Sequence, residues 1–242
     1  LALVALGLAA APAHAESASD LIARNLAARG GAKLAAISTV EFTGKALAGG
    51  NFELTYKEIR ARKNGAARFE ESIQGLTLVQ GYDGTVGWRI NPFEGRRDAE
   101  RMSHDDTQAL ADGATIDGQL LAAKARGSAV TYLGQEDFEG TDAYKLRVVD
   151  PNGVQYMYFL DPDTYLEIEV VETRKLRGAP QVTVTELGDY EPVNGAYFPF
   201  AIQSGPPGAD AGGQQQITIE SAHANIPVND ALFAMPTASG AK

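Results

Sequence analysis

The chain carries few of the side chains on which catalysis is usually built. Cysteine is absent, which removes thiol nucleophiles, disulfides and thiolate metal sites. There are three histidines, His14, His104 and His223, and no two of them have the HExxH or HxH spacing that would aim two imidazoles at one zinc ion. A serine hydrolase would need a GxSxG elbow and a histidine to activate it, and no such pentapeptide occurs. Asp161 and Asp163 flank Pro162, as in a turn. A calcium loop would need about six to eight oxygens, and the glycine and distant glutamate of an EF-hand are missing. Asp105 and Asp106 read as helix N-terminal charges favoured by the macrodipole, not as a glycosidase pair. What remains is non-covalent binding, with no cofactor.

The elements that would form a binding surface begin after an apolar start. Residues Leu1 to Ala13 carry no charge, and Ala13-His14-Ala15 precedes Glu16. This reads as the apolar region and small-x-small cleavage site of a secretory signal peptide over residues 1–15. A membrane span would need about 20 apolar residues, and this run is shorter. The expected product is an exported, periplasmic chain in which His14 is lost. Residues 16–236 fit one domain and 237–242 a disordered tail. The formal charge of −10 excludes nucleic acid and disfavours adhesion to anionic lipid. A monomer with neutral, basic or hydrophobic partners is expected.

A helix is predicted over Ser17 to Arg29, with Ser19 or Asp20 as N-cap, Leu21, Ile22 and Leu26 on one side, and Gly30-Gly31 as a stop. From Thr39 the period changes to two. Segments around Val40 and Phe42, Phe52 to Tyr56, Ala66 to Ile73, Leu76 to Tyr82 and Val86 to Ile90 are separated by glycine and asparagine turns, which reads as an antiparallel meander. Ser103 to Arg126 interrupts it with two short helices. Further strands follow around 129–138, 142–150, 154–160, 165–175, 182–184, 197–202 and 217–219. In 165–175, alternation puts Leu166, Ile168 and Val170 on one face and Glu167 and Glu169 on the other. The fold class is therefore mainly β with added helices: one antiparallel sheet of roughly 10–12 strands, a length that must curl under its own twist.

Asp83 to Gly95, DGTVGWRINPFEG, resembles the DGxxxWxYNPF signature of periplasmic lipoprotein carriers of the LolA type. The order of the other segments is similar too, with FLDPDTYLEIEVVE late in the chain and VNDALFAMP near the end. DGQLLAAKARG and DAYKLRVVD resemble the broader group of outer-membrane lipoprotein-sorting proteins. The resemblance implies an unclosed β-barrel under a helical lid, a hydrophobic cavity for the acyl chains of a lipid or lipoprotein, and no catalysis. It also implies an inner-membrane transporter and an outer-membrane acceptor as partners, or alternatively a lipid-sensing domain that contacts a membrane protein. A basic residue on a strand before the signature bonds to the lid in that family, and Arg62 is the nearest match, with Arg60 and Arg68 as alternatives. Parity and periodicity select Phe42, Phe52, Leu54, Phe69, Trp88 and Ile90 as cavity wall, and Leu110, Ile116, Leu120 and Leu121 as lid.

Overall fold

The computed structural model describes residues 16–237; the expected signal segment and residues 238–242 lie outside them. Helix α1 (Ala18–Ala28) starts at Ser17, whose hydroxyl accepts from the Asp20 amide while the Asp20 carboxylate accepts from the Ser17 amide, a capping box. The cap is thus two residues earlier than the first of the two expected. A single turn, α2 (Ala32–Ala35), leads into the sheet.

Thirteen antiparallel strands follow: β1 (Thr39–Ala48), β2 (Phe52–Ala61), β3 (Ala66–Ile73), β4 (Leu76–Tyr82), β5 (Gly87–Ile90), β6 (Glu100–Arg101), β7 (Ala129–Phe138), β8 (Thr141–Val149), β9 (Gln155–Leu160), β10 (Glu167–Leu176), β11 (Ala179–Val193), β12 (Ala196–Gly205) and β13 (Gln215–Ala224). The strand missing from the expected count is β6, only two residues long. The spatial order is β6-β5-β4-β3-β2-β1-β13-β12-β11-β10-β9-β8-β7. The sheet is one meander rejoined through β1 and β13, and it stays open between β6 and β7. The chain crosses that opening as α3 (His104–Gly113) and α4 (Gly118–Arg126).

The sheet is strongly curled. Gln215 on β13 donates to Glu71 on β3 at 2.6 Å although β1 and β2 lie between them in the ladder. Phe42 on β1 likewise packs edge-on against Phe198 on β12, with β13 between them. The lid helices and α1 fill much of the trough. Leu21 and Leu120 share a core with Leu146, Val148 and Leu160, while α3 meets the other end, where Thr107 lies against Gly87.

Register decides which parity faces the trough, because residues opposite each other in a ladder share a face. The row Phe42, Glu58, Phe69, Gln80, Arg89 crosses β1 to β5, so Arg89 points to the lid side. Trp88 and Ile90, expected as cavity wall, are on the opposite face, paired with Gly81 and Val79. Alternation told which residues travel together and not which side is concave. Trp88 is fully buried there beneath the C-terminal segment: its indole N–H donates to the Phe233 carbonyl at 2.7 Å, and the Arg68 guanidinium lies 5.5 Å from the ring centroid. Glycine is required at 81, where a Cβ would stand 2.3 Å from the indole.

Three outcomes follow from this packing. Trp88→Ala should cost about 3–5 kcal/mol of stability, as large core truncations do, and Gly81→Ala should lower the urea midpoint because the indole must shift. Trp88 emission should be that of a buried indole and stay constant when oleic acid is added; a saturable shift would place the ring at the ligand instead.

Candidate functional site

Beneath the junction of α3 and α4 the trough holds a cavity of about 240 Å³. Phe42, Phe198, Ile202 and Ile219 form apolar wall from β1, β12 and β13, and Ile116, between the lid helices, forms its roof. The charged groups that line it are paired. The Tyr56 hydroxyl donates to Glu58 Oε2 at 2.7 Å, and Arg60 Nε donates to the other oxygen of Glu58. Across the trough, Arg29 Nη1 donates to Glu167 Oε1 at 3.2 Å, and the Tyr190 hydroxyl donates to the Glu167 carbonyl and carboxylate at 3.0 and 3.2 Å. Burial, reinforced by the adjacent carboxylates, raises the Tyr56 and Tyr190 hydroxyls well above the ordinary phenol value, so both remain donors.

A second cavity of about 390 Å³ lies towards the rim, lined by Tyr56, Phe69, Glu71, Leu78, Gln80 and Gln215. It adjoins the first at Tyr56 and Glu58. Burial pushes the Glu71 carboxyl up, against the opposing Gln215 hydrogen bond.

The lid is tethered at two places of different character. At the start of α4, Arg62 makes a bidentate pair with Asp117, with Nη2 2.8 Å from Oδ1, and it also donates to the carbonyls of Ile37 and Leu34 at 2.8 and 2.9 Å. Both side chains of this pair are about one third exposed. At α3 the carboxylate of Asp112 is almost fully buried: Arg126 Nη2 donates to it at 2.7 Å and to Asp150 at 2.8 Å, and Arg174 on β10 reaches its other oxygen at 3.2 Å.

The residues selected from sequence divide as follows. Phe42 and Ile116 meet at the under-lid cavity. Phe69 lines the rim cavity and, with Leu110, a third hollow beside α3. Leu54 is core on the trough face, and Leu121 packs against the same cluster. Leu120 is buried against β8 and β9 instead. Phe52 is 63% exposed and forms no wall; it sits at the turn into β2, beyond the reach of the lid. Arg62 contacts the lid through Asp117, while Arg60 faces the cavity and Arg68 covers Trp88. His104 begins α3 and His223 lies on β13, 3.2 Å from the Ser221 hydroxyl.

Sequence reasoning did not find Arg29, Glu167, Glu58 or Asp112. Glu58 was signalled by parity, since it shares the face of Leu54 and Tyr56. Glu167 was hidden by a bulge: the register of β10 on β9 shifts between Glu167 and Glu169, which brings Glu167 onto the face of Val170, opposite to its expected side.

No known family profile and no curated protein matches the sequence. Among solved structures, the chain superposes on a domain assigned to outer membrane lipoprotein sorting from Vibrio parahaemolyticus, with 10% identity over 89% of this chain and 94% of the other and a TM-score of 0.58. A DUF1329 family protein from Desulfovibrio piger gives 13% identity, 90% and 95% coverage and a TM-score of 0.59. A LolA superfamily protein from Nitrosomonas europaea gives 12%, 91% and 98%, and 0.58. Identities this low establish a LolA-like fold and nothing finer.

Two measurements check this description. Asp112→Ala should destabilise by about 1–3 kcal/mol, because it takes the shared carboxylate from the buried Arg174 and the partly exposed Arg126 and leaves them only Glu172 and Asp150, whereas Arg62→Met, at a pair about one third exposed, should cost roughly 1 kcal/mol or less from the ion pair; urea unfolding gives both. Glu71→Gln keeps the acceptor for Gln215 and should raise stability at pH 7. A carboxyl whose pKa is raised by folding contributes stability below its unfolded value of 4.5 and loses it as pH climbs through the folded value. The gain should therefore vanish below that lower value.

Proposed function

We propose that the protein is a periplasmic carrier that shelters acyl chains of a lipid or lipoprotein in the trough under α3 and α4 and passes them towards the outer membrane, without catalysing a reaction. The observation that supports this most is an apolar cavity roofed by Ile116 on an insertion that spans an unclosed sheet. No helix among the described residues is long and apolar enough to cross a membrane, which is compatible with a shuttle.

The size of the cavity bears on mechanism. At about 240 Å³ it lies below the roughly 300–1,000 Å³ of most ligand pockets, so this conformation is the closed one. Loading requires α4 to lift and the Arg62–Asp117 pair to break. Burying about sixteen carbons would release on the order of 12 kcal/mol at about 0.8 kcal/mol per CH₂, too much for cargo that must leave. Because Ile116 and Leu121 cover the same apolar wall when the site is empty, closure competes with cargo and lowers its apparent affinity. Arg62 then acts as a latch, and the buried Asp112 cluster as the pivot about which α4 turns.

Gentle purification followed by mass spectrometry of an organic extract should recover acyl lipid. Hydrogen exchange on the emptied protein should show α4 opening at lower free energy than β1 and β2, with Arg62→Met lowering it further. An empty protein whose sole stable ligand is a segment of a membrane protein would replace this reading with a sensing or interaction domain. Exchange of α4 only through global unfolding would remove the latch.

A further inference from the structure

The rim cavity differs from the one under the lid in what its polar groups are doing. Glu58, Arg60, Arg29 and Glu167 satisfy one another. Glu71 has one partner, Gln215 Nε2 at 2.6 Å, and the Gln80 side-chain amide bonds to nothing in the protein among the described residues. Both project from the trough face, in the same parity as Phe69 and Leu78. A cavity wall meant only for hydrocarbon gains nothing from them, since each polar group left without a partner against an acyl chain costs about 1–3 kcal/mol. The position is also informative. The rim cavity shares Tyr56 with the Tyr56–Glu58–Arg60 cluster and lies on the side away from the Arg62–Asp117 latch, so a chain under Ile116 would bring its head group here.

We propose that the rim cavity binds a neutral, hydroxyl-rich head group, such as glycerol or a sugar, of an amphiphile whose chain lies under the lid. This rests on the acyl-carrier reading and adds its selectivity. The wall supplies carboxylate and amide acceptors together with amide donors, which is the mixed set that hydroxyls, each donor and acceptor at once, can satisfy. Phe69 and Tyr56 add ring surface against the C–H faces of such a group. Among the described residues no lysine or arginine lines this cavity, so phosphate and carboxylate heads find no counter-ion and meet Glu71 instead. The raised pKa of Glu71 weakens its claim on a cation and favours a neutral guest.

The test is displacement of a fluorescent polyene fatty acid from the full-length protein by oleic acid, 1-oleoylglycerol, oleyl phosphate and oleylamine at pH 7. The expected result is 1-oleoylglycerol binding about tenfold more tightly than the other three. In Gln80→Leu, and in the near-isosteric Gln80→Met should the first variant fail to fold by circular dichroism, that ratio should fall towards one. Equal binding of all four by the wild type, or preference for oleylamine or either anion, overturns the head-group assignment while leaving the acyl carrier standing. A preference that survives in the folded variants overturns it too. Failure of every acyl compound to bind defeats the carrier reading itself.

Discussion

The chain leaves the sheet at one free edge, β6, and re-enters at the other, β7. With the sheet curled far enough for β3 and β13 to touch through side chains, a connection between its edges has to pass over the trough. The helical insertion is thereby fixed as a roof by topology before any of its side chains is considered. Neither lid helix exceeds ten residues, and isolated helices of that length are marginal in water. They persist because the sheet supplies a surface, and the sheet's trough is covered because they persist.

That mutual dependence explains the uneven anchoring of the lid. A buried carboxylate needs full compensation, and Asp112 obtains it from Arg126, Arg174 and Gln108. These bonds unite α3, α4 and β10 in an arrangement that is costly to take apart. Arg62 and Asp117 remain about one third exposed, where pairing contributes less and water can replace it. The roof is therefore held firmly at the α3 end and weakly at the start of α4, an asymmetry that a hinged cover needs and a static core does not.

The trough is correspondingly not a uniform greasy surface. Its charged residues are neutralised in place under the lid, through Tyr56–Glu58–Arg60 and Arg29–Glu167–Tyr190, whereas towards the rim Glu71 and Gln80 retain bonding capacity. A sheet can carry such a gradient because every second residue of each strand faces inward. Successive inward positions along β2, from Leu54 through Tyr56 and Glu58 to Arg60, sample successive depths of the trough.

The sequence by itself determined the antiparallel meander, the helical interruption at Ser103 to Arg126, the closing helix cap and turns, and the absence of familiar catalytic and metal motifs, since these rest on local periodicity and turn chemistry. It also singled out Phe42 and Ile116 as apolar candidates, and a motif singled out Arg62, without recording what would surround any of them. Only the tertiary structure decided which parity was concave. Alternation is symmetric between the two faces of a sheet, so Trp88 and Phe42 looked equivalent until the ladder from β1 to β5 put them on opposite sides. It alone placed Glu167, because a bulge inverts parity without leaving a mark in composition. It alone revealed Asp112 and Arg29 as buried, since a charge can be buried only where distant strands bring its partner, and no local pattern records that meeting.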